Sequence, residues 1–175
     1  LLEIVSVDEN GQAMCKTDLP FGSFYLKELS TDSHYLPSGE TFPFTFEYGG
    51  PSVAVVEINA NDGEAISNEL IRGEIRGMKT DENGTGLSGA VIGLFQSDET
   101  EFTAENALAT ATSAEDGAFS FSDVPFGNWV LKELESPEGF ILSDEIIPVT
   151  VEEDGQVVEI SLANERIYGD LRLTK

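Results

Sequence analysis

Apolar and polar residues alternate with a period of two along most of this chain, the signature of strands with one buried face. Ile75, Gly77 and Lys79 share one face of a strand, and Ala90 to Phe95 (AVIGLF) reads as a short buried strand after the turn Asp81-Glu-Asn-Gly84. Phe119 and Phe121 alternate with Ser120 and Ser122 after Asp116-Gly117. Trp129, Leu131 and Glu133 alternate with Val130, Lys132 and Leu134. Ile147, Val149 and Val151 alternate with Pro148, Thr150 and Glu152, and Pro148 predicts an edge strand because it lacks a ladder donor. After Asp154-Gly155, one face carries Val158, Ile160, Leu162 and Asn164. Asp-Gly and Asn-Gly turns between such runs are hairpin signals, and short strands at this spacing predict an all-β sandwich. Ser97 to Ala114 is ambiguous: Thr103 to Ala111 has a helical option, but the stretch reads as an acidic loop leading into a strand.

The same pattern occurs more than once. Asn68 to Lys79 (NELIRGEIRGMK) matches Asn164 to Lys175 (NERIYGDLRLTK), 96 residues on (164 − 68). Asp18 to Pro43 matches Asp123 to Pro148 without gaps, 105 residues on (123 − 18). The difference of 9 residues between the offsets falls in Tyr48 to Asn61, which predicts a longer hairpin or loop there. A fixed period of this kind marks one supersecondary unit copied in tandem. The chain then reads as a C-terminal part of a first repeat (1–72), a complete second repeat (73–168) and the opening strand of a third (169–175).

Composition narrows the function. Thirty-three acidic residues against 9 basic ones give a formal charge of −24, which excludes nucleic acid as a partner because phosphates demand clustered Lys and Arg. The acids are spread over both repeats, as on a soluble, self-repelling surface. Cys15 is the single cysteine and His34 the single histidine, so an intrachain disulfide, a zinc site and a cysteine–histidine nucleophile pair are not expected. The DENG turns at Asp8 and Asp81 lack the spaced oxygens and closing glutamate of a calcium loop, and turn chemistry accounts for them. No cofactor, metal, signal peptide, membrane insertion or sortase-type LPxTG signal is expected in this stretch.

Three polar side chains stand on the wrong face. Lys79 lies with Ile75; Glu133 lies with Trp129 and Leu131, as Glu28 does with Phe24 and Leu26. Asn164 lies with Val158, Ile160 and Leu162, as Asn68 does with Ile66, and Lys175 lies with Leu171 and Leu173. Buried Lys and Glu are rare unless paired. Two plain explanations are that each residue ends its strand, or that Lys and Glu form a buried ion pair. The third is covalent chemistry. An apolar site favours a neutral, nucleophilic lysine amine, and a glutamate beside it can hydrogen-bond the asparagine carbonyl and shuttle protons as ammonia leaves. The product amide is neutral, which removes the cost of the buried charge.

Gly73-Glu-Ile-Arg-Gly-Met-Lys79-Thr-Asp, Leu87-Ser-Gly-Ala90 and Asp123-Val-Pro-Phe-Gly127, followed by Leu131-Lys-Glu133-Leu-Glu-Ser-Pro-Glu-Gly-Phe140 and Leu162-Ala-Asn164, resemble the Cna B-type domain, also called SpaA-like or prealbumin-like. The resemblance covers the whole chain. It implies tandem reversed immunoglobulin-like β-sandwiches of Gram-positive surface adhesins and pilins, extracellular and attached to the cell surface or cell wall. It also implies an autocatalytic isopeptide bond between Lys79 and Asn164 with Glu133 as catalyst. The first repeat keeps Glu28 and Asn68 but no lysine strand, and Asp32, Ser33, His34 and Tyr35 replace the Pro137, Glu138, Gly139 and Phe140 of the second. Lys175 is an amine with no Glu or Asn after it, and the missing partners of both partial repeats are expected outside this stretch; a contact between Lys175 of one chain and Asn68 of another is the alternative.

The short junctions at Glu69 to Arg72 and Glu165 to Tyr168 carry Leu70, Ile71 and Ile167, which predicts stiff connections between neighbouring repeats of the same polypeptide. The expected function is a structural stalk segment with no substrate turnover beyond the self-reaction. The rival is a binding module whose loops recognise a host protein or glycan, for which Tyr48 is a modest candidate. A hydrolase ranks third, and a transthyretin-like regulatory domain would share the fold without the bond.

Overall fold

The computed structural model describes residues 1–52 and 60–175, so most of the 9-residue insertion expected in Tyr48 to Asn61 lies outside the described residues. The chain is mostly β, and among the described residues the single helical element is a 3-10 turn at Ala60–Gly63. Contacts divide it into unit 1 (Leu1–Thr31 and Pro37–Glu69) and unit 2 (Asp32–Leu36 and Leu70–Lys175).

Unit 1 is built on β1 (Gly22–Lys27) and β3 (Thr41–Phe46), which pair antiparallel with Gly22 opposite Phe46 and Lys27 opposite Thr41. The two-residue strand β2 (Tyr35–Leu36) falls in unit 2, and β4 (Glu69–Leu70) spans the change from unit 1 to unit 2. Phe24 stacks on Phe44 across the β1–β3 ladder at 5.6 Å between ring centroids.

Unit 2 is a two-sheet sandwich. Its strands are β5 (Arg72–Asp81), β6 (Val91–Gln96), β7 (Ala109–Thr112), β8 (Ala118–Pro125), β9 (Gly127–Glu135), β10 (Ile146–Val151) and β11 (Val157–Asn164). One sheet has the order β10-β9-β6-β7 and the other β11-β5-β8. The alternating residues of both sheets meet in a single core: Ile75, Phe119, Phe121 and Leu162 from one side, and Ile92, Leu94, Trp129, Leu131, Val149 and Val151 from the other. Pro148 lies on the edge strand β10, where the missing donor costs no interior ladder bond. Gly77 is required by packing, since a Cβ there would stand 2.1 Å from the Phe119 ring, which covers the backbone from the opposite strand.

The strands that begin and end unit 2 are neighbours. β11 runs parallel to β5, with Val158 opposite Ile75, Leu162 opposite Lys79 and Asn164 opposite Asp81. Parallel neighbours cannot be joined by a tight turn, so most of unit 2 lies between them in sequence. This pairing brings two residues separated by 85 positions into contact.

Two elements differ from the sequence pattern or resolve it. Residues 169–175 form no strand, contrary to the opening strand expected there, and Leu171 and Leu173 are 85% exposed. Alternation alone does not make a strand; a ladder partner must satisfy its N–H and C=O groups, and none pairs with this segment among the described residues. Ser97 to Ala114 is a loop followed by β7, and Phe102 from that loop packs edge-on against Phe95 at 5.0 Å. That ring covers Phe95, which is buried although it lies outside the core cluster, as is its cross-strand neighbour Val130.

Candidate functional site

The candidate site lies inside the sandwich of unit 2, where β5, β9 and β11 each contribute one polar side chain. Lys79, Glu133 and Asn164 are 0%, 1% and 2% exposed, so all three are removed from water, including Asn164 at the end of β11. The Lys79 amine donates to Oδ1 of Asn164 and stands 3.0 Å from Oε1 of Glu133. Nδ2 of Asn164 donates to both carboxylate oxygens of Glu133, at 2.9 and 3.0 Å. The three groups thus form a closed triangle.

The carboxylate has a further anchor. The backbone N–H of Ser143 donates to Oε2 of Glu133 at 2.8 Å, while Lys132 holds the Ser143 carbonyl at 3.1 Å. Asn164 is fixed by the segment on its C-terminal side. Residues Glu165 to Ile167 run along Gly139 to Ile141, with Ile141 N–H donating to the Glu165 carbonyl and Ile167 N–H to the Gly139 carbonyl, both at 2.9 Å. Arg166 then lies over the Phe140 ring at 5.1 Å. The loop after β9 therefore serves both the catalyst candidate and the strand that carries the amide.

Electrostatics follow from burial. Desolvation pushes the Lys79 amine below its ordinary value of 10.5, opposed by the hydrogen bond and charge of Glu133 and by the charge of Glu145. A lowered amine pKa increases the fraction carrying the lone pair that nucleophilic attack requires. With the amide in contact and the carboxylate touching both groups, the arrangement is suited to acyl transfer from the Asn164 amide to the Lys79 amine, proton transfer passing through Glu133.

Unit 1 repeats two corners of this triangle. Asn68 Nδ2 donates to Oε1 of Glu28 at 2.8 Å and to the Thr31 hydroxyl at 2.5 Å, and Ser38 N–H donates to Oε2 of Glu28 at 2.5 Å. Both residues are half-buried rather than enclosed. No amine pairs with Glu28 among the described residues, and Lys175 is exposed in the segment that forms no strand. Sequence reasoning missed the Ser143 and Ser38 N–H donors, although Ser38 and Ser143 stand at equivalent places in the two matched blocks.

The DENG turns have a local explanation. Asp8 Oδ1 accepts from Asn10 N–H and Gln12 N–H at 2.9 Å each, and Asp81 Oδ1 accepts from Asn83 N–H at 2.9 Å and Thr85 N–H at 2.8 Å. These are carboxylate-capped turns. No helix of the described residues is long and apolar enough to cross a membrane.

An all-β sandwich whose terminal strands are parallel neighbours is the architecture of a prealbumin-like domain. The SpaA prealbumin-like fold domain model matches residues 73–166, just over half of the sequence, and the chain belongs to that family. No curated protein sequence matches the chain. Among solved structures it is similar to the Bacillus anthracis TIE protein, with a TM-score of 0.74 and 19% identity, over 93% of this chain and 28% of that one. It is also similar to BcpA, the major pilin subunit of Bacillus cereus, with a TM-score of 0.51 and 19% identity, over 75% of this chain and 40% of that one. The chain therefore spans well under half the length of these structural relatives.

Proposed function

We propose that this chain is a stalk segment of a Gram-positive cell-surface adhesin or pilus-like protein, stapled by an isopeptide bond between Lys79 and Asn164. The observation that carries the reading is the fully buried Lys79–Glu133–Asn164 triangle. In the reaction the Lys79 nitrogen forms a bond to Asn164 Cγ, the Cγ–Nδ2 bond breaks, and Glu133 relays the amine proton to Nδ2, which leaves as ammonia. It runs once per molecule, so the chain is not a turnover enzyme. Family membership and the likeness to a major pilin support the surface setting.

The bond suits a tensile role. It joins the strands at the two ends of unit 2, so force entering at β5 leaves through β11 without loading the rest of the sandwich. Unlike a disulfide it is indifferent to reductant, in a chain with one cysteine. Unit 1 is read as the C-terminal part of a preceding repeat, since β1 and β3 pair in the register of β9 and β10 at an offset of 105 (127 − 22). The partners are then neighbouring repeats of the same polypeptide. Intact mass of the denatured protein tests the staple: loss of one ammonia supports it, and a full mass refutes it.

A second reading, recognition of a host protein or glycan through loops, draws on Phe21, Phe46 and Tyr48, whose rings cluster at 5.4 and 5.7 Å while Phe21 and Tyr48 stay 64% exposed. Alanine at Phe21 and Tyr48 would abolish adhesion of the purified chain to host-matrix proteins or glycans under this reading and leave it unchanged under the stalk reading.

A further inference from the structure

One side of the unit 2 sandwich is open. β7 and β8 follow one another through the turn at Ala114–Gly117, yet they enter different sheets, β7 pairing with β6 and β8 with β5. Each is the outer strand of its sheet, and among the described residues neither has a ladder partner on its other edge. The cleft between them holds about 400 Å³, within the range of ligand-binding sites. Its floor is apolar, with Leu94, Phe121 and Val124 reaching it from the core, and Leu108 stands 53% exposed at the rim. Lysine and proline commonly blunt such edges, as Pro148 does on β10. β7 (ATAT) has neither, and β8 (AFSFSDVP) has proline only at its last position. A charge marks that end of the cleft. Ser122 and Asp123 together occupy the place opposite Glu74, a bulge that holds Asp123 at a φ of 55°, and Nη1 of Arg72 donates to the Asp123 carbonyl at 2.9 Å. Arg76, Lys79, Lys132 and Arg166 each lie between 2.7 and 3.8 Å from a carboxylate oxygen, whereas Arg72 has no carboxylate partner among the described residues.

We propose that this cleft binds an extended segment of another protein, added as a strand along the free edge of β8, with apolar side chains at alternate positions and a carboxylate at the end that meets Arg72. The main chain follows from the edge, since an extended segment is the shape that satisfies a row of open N–H and C=O groups. The alternation follows from the floor, because side chains two residues apart on a strand point to the same face. The acid follows from Arg72, the unpaired cation at the end of the cleft. Asp123, which also lines the cleft, opposes that acid and limits the affinity. The site uses none of Lys79, Glu133 and Asn164, so it stands whether or not they are joined.

Two capped hexapeptides, Glu-Val-Thr-Val-Thr-Val and Val-Thr-Val-Thr-Val-Glu, test the proposal by titration into the intact, isotope-labelled chain to millimolar concentration. The acid comes first for a strand antiparallel to β8 and last for a parallel one, so the better binder gives the direction. The expected result is a saturable set of NMR shifts confined to the backbone amides of β7 and β8. The dissociation constant should rise about threefold or more in Arg72→Gln, return in Arg72→Lys and fall in Asp123→Asn, a residue that tolerates the left-handed conformation. Two changes made to the probe leave the fold of the chain untouched. Gln in place of the peptide's Glu should weaken binding to the parent chain by the same factor, and N-methylation at alternate peptide residues should abolish it. Absence of shifts from both peptides overturns the proposal, as does equal affinity for peptides carrying Lys in place of Glu. Shifts of the same amides when the chain alone is concentrated would assign the cleft to a second copy and overturn it too.

Discussion

Replacing Glu133 with Gln should leave Lys79 and Asn164 in contact but unjoined, because the amide cannot carry protons between amine and leaving group. The lost staple closes a loop of 85 residues. The chain-entropy relation for cross-links gives about 4–5 kcal/mol for a loop of that length. For a unit of this size each kcal/mol moves the thermal midpoint by about 4–8 °C, so the variant should melt about 20–35 °C lower. The unjoined lysine adds to the loss, since its amine stays buried with its ionic partner gone. Differential scanning calorimetry of unit 2, alongside intact mass, reads both effects. A variant that keeps the full mass yet melts within a few degrees of the parent would refute the energetic reasoning. One that still loses ammonia would refute the role of Glu133.

The pH dependence of that gap has a definite sign. Burial lowers the folded-state pKa of a free Lys79 below 10.5, so between the two values the unfolded chain binds the extra proton and stability rises with pH. The joined protein has no such amine, so the difference in melting point between parent and Glu133→Gln should narrow from pH 7 toward pH 10; a constant gap would contradict the buried free amine. Gly77→Ala places a Cβ 2.1 Å from the Phe119 ring and should cost about 1–3 kcal/mol of stability, read by thermal denaturation, whereas an unchanged midpoint would show the ring free to move. The Glu3 carboxylate, 2.8 Å from Sγ, raises the Cys15 thiol pKa, so alkylation of Cys15 near pH 8 should be faster in Glu3→Gln, and an equal rate would remove that contact from the account.

Alternation carried much of this fold, because a strand with one buried face writes its period into the chain. It placed Lys79, Glu133 and Asn164 on apolar faces, and the structure finds all three buried. It could not place them together. That depends on β11 pairing parallel to β5, a contact between residues 85 apart that no local pattern encodes. The Ser143 N–H on Glu133 was equally hidden, since any residue but proline offers the same backbone donor and only the path of the loop aims it. Residues 169–175 show the converse: the pattern of β5 is present, but without a ladder partner it stays irregular. Phe95 shows a third limit, because the loop that covers it with Phe102 is acidic and carries no period of its own.

The central claim is a covalent link between two named side chains, and tandem mass spectrometry of a proteolytic digest addresses it directly. The account predicts one branched species in which the peptide containing Lys79 is joined to the peptide containing Asn164, lighter than their sum by one ammonia. Recovery of both peptides separately, each at full mass, would contradict it.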